Sequence, residues 1–161
     1  MLQRIITISF LLCLIYPLTC AAVKKELPES ELKITAAWAR ASIPGAKSSA
    51  GYMKIENPTD KDITIIGASA DVANNTELHD SYIDEKGTMM MRKLDMIVVP
   101  AKGEVNLAPL GSNVANDTTN NTSGIHVMLM RLKRQLNIGD KIIIELKIKN
   151  HRPQQVEVEV K

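Results

Sequence analysis

Imidazole and thioether side chains are crowded into one stretch of this chain. Six of its eight methionines lie between Met89 and Met130: the run Met89-Met90-Met91, then Met96, then the segment His126-Val127-Met128-Leu129-Met130. His79 sits just upstream of the run. Thioether sulfur is a soft donor, and mixed with imidazole nitrogen it suits Cu(I) while binding hard ions such as Mg²⁺ or Ca²⁺ poorly. In a strand, residues two apart share a face, so His126, Met128 and Met130 point one way and Ile125, Val127 and Leu129 the other. By the same rule Met89 and Met91 share a face, with Met90 opposite. One imidazole and one thioether from the 126–128 segment, joined by His79 and a methionine of the run, make a four-coordinate set for Cu(I). Neutral donors leave the ion its positive charge, which favours modest affinity and release. The competing reading is that the methionines only fill a core, a common use of this residue. His151, beside Arg152 and Pro153, reads as a solvated turn residue.

The elements that must position these groups are strands. The expected segments are Leu32–Trp38, Ser49–Glu56, Asp62–Ala70, Thr76–Ile83, Thr88–Leu94, Met96–Val99, Glu104–Leu107, Ile125–Leu132, Lys141–Lys149 and Gln155–Val160. Turn-forming stretches separate them, among them Asn57-Pro-Thr-Asp60, Asp84-Glu-Lys-Gly87 and Ala101-Lys-Gly103. The last strand is the clearest, with Val156, Val158 and Val160 on one face and Glu157 and Glu159 on the other. Many short strands at close intervals predict an all-β, Greek-key sandwich or barrel with no long helix. One stretch, 111–124, is polar and rich in Asn and Thr. It cannot bury a core and reads as a surface loop.

The N-terminal residues read as a removable segment. Arg4 is the first charge, Ile5 to Leu18 is almost wholly apolar, and small residues follow at Thr19-Cys20-Ala21-Ala22, the pattern of a secretory signal peptide. Residues 1–22 are therefore expected to be cleaved, leaving 23–161 as one domain without a membrane span, since the apolar stretch is shorter than the roughly 20 residues a spanning helix needs. Pro17-Leu18-Thr19 before Cys20 departs from the run that lipid attachment uses. Both cysteines, Cys13 and Cys20, fall in this segment. A blue-copper electron carrier, which needs a Cys with its two His and weak Met, is thereby excluded. Removing Arg4 leaves nineteen basic and eighteen acidic residues. Without a basic footprint, nucleic acid is not an expected partner, and no nucleophile–base pair marks an enzyme.

Several motifs resemble those of the periplasmic PCu(A)C copper chaperones: Ala37-Trp-Ala-Arg40, Pro44-Gly-Ala-Lys47, Ala50-Gly-Tyr52, Glu56-Asn-Pro58, Glu77-Leu-His79, Gly87-Thr-Met-Met-Met-Arg92, Ile125-His-Val-Met-Leu-Met130 and Gly139-Asp140. The resemblance covers nearly the whole chain after residue 22. It implies a cupredoxin-like β-sandwich holding Cu(I) through His79, Met91, His126 and Met128. It also implies periplasmic delivery to the CuA centre of cytochrome c oxidase subunit II, alongside a thiol-bearing copper assembly factor. The family pattern is a His, ten residues, a Met, twenty-one residues, then His-X-Met. Counting ten from His79 reaches Met90, but the family methionine directly precedes an arginine, which here is Met91. Met91 is therefore the expected ligand and Met90 the alternate. Thirty-four residues separate Met91 from His126, and the polar 111–124 insertion accounts for the surplus. A copper-buffering or resistance protein and a metal-free β-sandwich interaction domain are the competing functions.

Overall fold

The computed structural model describes residues 26–112 and 123–161. The expected signal segment and most of the 111–124 stretch lie outside the described residues. Ten strands follow one another: β1 (Lys33–Ala39), β2 (Ser48–Glu56), β3 (Ile63–Ala70), β4 (Ala73–Ile83), β5 (Met89–Leu94), β6 (Ile97–Val99), β7 (Glu104–Leu107), β8 (Ser123–Leu132), β9 (Lys141–Ile148) and β10 (Gln154–Val160). The described residues contain no helix, hence none long and apolar enough to cross a membrane. The all-β expectation holds, and the largest boundary difference is β4, which begins at Ala73 rather than Thr76.

The strands form one sheet in the order β5-β4-β8-β2-β1-β10-β9-β3-β6, with β7 pairing β2. Neighbours are antiparallel except β1 and β10. Strand β2 changes partner along its length: Ser48–Gly51 pair with β8, and Met53–Glu56 pair with β7. Twisted sheets of this length curl, and here the curl closes one face around an apolar interior. Ile55, Ile65, Val127, Leu129, Leu136, Ile144, Leu146, Val158 and Val160 are all fully buried there. They come from β2, β3, β8, β9 and β10 and from the segment after β8, so opposite walls of the sheet share one core. His126, Met128 and Met130, on the other face of β8, lie outside that apolar core.

One irregularity sets the phase of β1. Between Thr35, opposite Lys54, and Trp38, opposite Tyr52, β1 advances one residue more than β2. This is a β-bulge.

 Ala36 takes the left-handed conformation the extra residue requires, at a φ of 50°. The bulge re-phases the strand: Thr35 and Trp38, three apart, end on the same face as Lys54 and Tyr52, which are two apart. Trp38 therefore stacks on Tyr52, with ring centroids 4.6 Å apart.

A tight turn before β9 closes the far end of the fold. Asp140 Oδ2 accepts from Asn137 N at 3.0 Å and pairs with the Arg134 guanidinium. The Asn137 amide first, then Arg134, holds the Asp140 carboxyl below its ordinary value. A carboxylate with a lowered folded-state pKa contributes stability above its unfolded pKa, about 4, and loses it as pH falls through the folded value. Asp140→Asn should therefore lower the urea midpoint at pH 7 and flatten its decline below about pH 4. An unchanged midpoint at both pH values would remove this turn from the stability account.

Candidate metal centre

Strand β4 lies between β5 and β8, and its register assembles the site. Ser81 stands opposite Met91 on β5 and Gly124 on β8, His79 opposite Lys93 and His126, and Glu77 opposite Met128. Met128 in turn faces Ala50 of β2. Strand alternation puts Met91, His79, His126 and Met128 on one face, the one turned away from Val127 and Leu129. Met90 pairs with Tyr82 and lies on the opposite face from Met91. The geometry thus brings together the four expected residues from three strands and leaves the alternate, Met90, apart. Met89 shares the Met91 face and lines the same cavity.

The two imidazoles have different surroundings. Their ring centroids are 5.9 Å apart. His126 is buried, and its Nδ1 lies 2.8 Å from the Gly124 carbonyl. A carbonyl only accepts, so Nδ1 carries the proton and Nε2 is left with the lone pair. Burial pushes the His126 pKa down, outweighing the Gly124 carbonyl, so the ring is neutral at pH 7. His79 is held the other way round: its Nε2 lies 3.0 Å from Glu77 Oε2, whereas its buried Nδ1 has no hydrogen-bond partner. Glu77 is held in turn by Lys93, at 3.1 Å. Its carboxyl pKa falls to about 2, chiefly through His79 and then Lys93, so Glu77 is ionised throughout the physiological range. A carboxylate behind a histidine fixes the ring's orientation, as outer partners of metal-bound histidines do.

A cavity of about 400 Å³ opens beside His126, Met128, Met91 and Met89. His79 does not line it and sits beside it, against Glu77 and the His126 ring. Met91 and Met89 are about half and two-thirds exposed respectively, so sulfur can be reached from solvent. Gly124 closes the rim, because a Cβ there would come within 2.7 Å of the Leu110 backbone nitrogen. Among the described residues no three His, Cys, Asp or Glu side chains converge on one point. The donor chemistry of this face is two nitrogen lone pairs and several thioethers, a soft set.

Several residues of the site were not singled out in the sequence. Glu77 could have been, since it precedes His79 by two in a strand and so shares its face. Tyr52 and Arg40 could not, because strand pairing alone brings them close. The Tyr52 ring lies 6.1 Å from His126, and the Arg40 guanidinium lies 5.9 Å from the Tyr52 ring.

Comparison with known proteins agrees with this architecture. The LpqE-like family model matches residues 32–160. The Leifsonia xyli subsp. xyli protein Lxx21020, named as a lipoprotein, is 26% identical over 130 residues, 81% of this chain and 69% of the relative. The solution structure of CuI-DR1885 from Deinococcus radiodurans is 28% identical, with a TM-score of 0.56, covering 87% of this chain and 83% of that one. The copper-bound PCuAC domain from PmoF2 shares the fold at 19% identity and a TM-score of 0.61, covering 84% of this chain and 97% of that one. The chain belongs to the LpqE-like family and has the fold of the PCuAC domains.

Proposed function

We propose that this protein binds one Cu(I) ion through His79 Nδ1, His126 Nε2, Met91 Sδ and Met128 Sδ, and carries it outside the cytoplasm. The observation behind this reading is the shared face: both imidazoles stand directly opposite each other, each has one ring nitrogen occupied and the other without a hydrogen bond, and thioethers flank them. The solved relatives titled as Cu(I)- or copper-bound support the choice of ion. Neutral donors and half-exposed sulfurs favour a carrier that gives the ion up by ligand exchange. We place the protein in the periplasm, with the CuA centre of cytochrome c oxidase subunit II as recipient and a thiol-bearing assembly factor as co-worker. The lipoprotein name of the relative supports an exported, envelope-associated location. Cleavage after Ala22 removes Cys20, whereas a lipid on Cys20 needs cleavage just before it; either route would export the same domain.

Two experiments test this reading. The protein should take up one equivalent of Cu(I), and mixing the loaded form with an apo CuA domain should raise that recipient's optical bands. Uptake without transfer would leave a buffering protein instead. Within the site, Met91→Leu should weaken Cu(I) binding about 10- to 100-fold, while Met90→Leu leaves it unchanged. Equal effects, or the reverse order, would show that the face assignment of the run does not govern ligation.

A further inference from the structure

The cavity beside the proposed ligands carries a positive charge that its walls do not neutralise. Arg40 lines it together with Met91, His126 and Met128, and among the described residues no acidic side chain lines it. Arg92, Arg134 and Arg152 each pair with a carboxylate. The Arg40 side chain makes no hydrogen bond or ion pair among the described residues, and its neighbour is the Tyr52 ring. Its position is nevertheless built. Arg40 N donates to the Ala50 carbonyl at 2.9 Å, and the Ser49 hydroxyl donates to the Arg40 carbonyl at 2.5 Å. These two bonds hold the base of the side chain at the cavity rim.

Loading would add a second charge. Two imidazoles and two thioethers bring none of their own, so Cu(I) and Arg40 would put two positive charges at the cavity, while the Glu77 carboxylate behind His79 lies outside its lining and is already paired with Lys93. We infer that this cavity is a subsite for a thiolate, which enters beside Arg40 and becomes a transient extra ligand of copper. The inference rests on the copper reading above. Softness selects the donor: carboxylate is anionic but hard, thioether is soft but neutral, and thiolate is both soft and anionic. About 400 Å³ is room for a cysteine side chain and the backbone around it. In the exchange the thiol loses its proton to solvent and a sulfur lone pair forms a Cu–S bond as a thioether–Cu bond breaks. No electron is transferred, and copper stays Cu(I). Arg40 stabilises the entering negative charge and does not itself bind the metal.

The test is the rate of Cu(I) transfer from the loaded full-length protein to three acceptors: N-acetylcysteine amide, a two-cysteine peptide, and the uncharged chelator neocuproine. Arg40→Gln should slow transfer to thiols about 10-fold and abolish its dependence on ionic strength. Arg40→Lys should keep most of the wild-type rate, and neither variant should lower Cu(I) affinity or slow transfer to neocuproine. Slowing with both thiols means that a free thiol can occupy the subsite; slowing confined to the peptide makes a protein cysteine its occupant. Either result supports the subsite. It is overturned if Arg40→Gln transfers to both thiols as fast as wild type, or if neocuproine is slowed equally. Failure of the wild-type protein to take up Cu(I) would instead remove the copper reading, and the subsite with it.

Discussion

Replacing His126 and Met128 together by alanine should abolish stoichiometric Cu(I) uptake, weakening binding by at least about 10³-fold. Loss of one outer-shell partner already costs metal sites about 10- to 100-fold, and this variant removes two of the four proposed donors. The fold should survive, because neither side chain belongs to the apolar core cluster. The expected structural cost is the His126–Gly124 hydrogen bond, about 1 kcal/mol, with some lost packing around a buried ring. Far-UV circular dichroism should therefore match wild type while competition with a Cu(I) chelator shows no protein-bound metal. A folded double variant that holds copper as tightly as wild type would sink the ligand assignment.

The mirror-image result is expected one residue away. Leu129 lies between Met128 and Met130 but points into the core, where it is fully buried. Leu129→Ala removes buried methyl groups and leaves a cavity, at a cost of about 2–5 kcal/mol. For a domain of this size that lowers the melting temperature by about 10 °C. Below its transition the variant should still bind one Cu(I), since its neighbours on the other face keep their register through pairing with β4 and β2. Thermal unfolding with and without copper measures both quantities. A Leu129→Ala protein as stable as wild type would contradict the inside–outside division of β8.

These two outcomes depend on strand alternation, and that was legible in the residues themselves. In β8 the apolar Val127 and Leu129 interleave with His126, Met128 and Met130, so the facing pattern needed no partner strand to be read. The hairpin at Asp84–Gly87 was equally local: Gly87 has a φ of 78°, and the Asp84 side chain accepts from the amides of Lys86 and Thr88. Counting along the chain, by contrast, left Met90 and Met91 in competition. Pairing resolves their positions, since Ser81 stands opposite Met91 and Tyr82 opposite Met90. Near Trp38 the residues themselves carry no sign of the register shift. A bulge adds one residue, so simple alternation gives the wrong face from there onward. Glu77 was named only as part of a motif although its spacing put it on the His79 face; its bond to Lys93 on β5 needed the fold.

What the sequence determined alone was chemistry and period: soft donors at strand spacing, short β segments, and turns between them. Each of these depends on a few consecutive residues, and side-chain type and backbone preference are local properties. Tertiary structure decided which strands became neighbours, and hence that His79 stands opposite His126, that Met91 and not Met90 shares their face, and that Arg40 stands at the cavity without a counter-ion among the described residues. Such contacts depend on how a long sheet curls and where a bulge shifts its register. Both are settled by burying the whole apolar face at once rather than by any one segment.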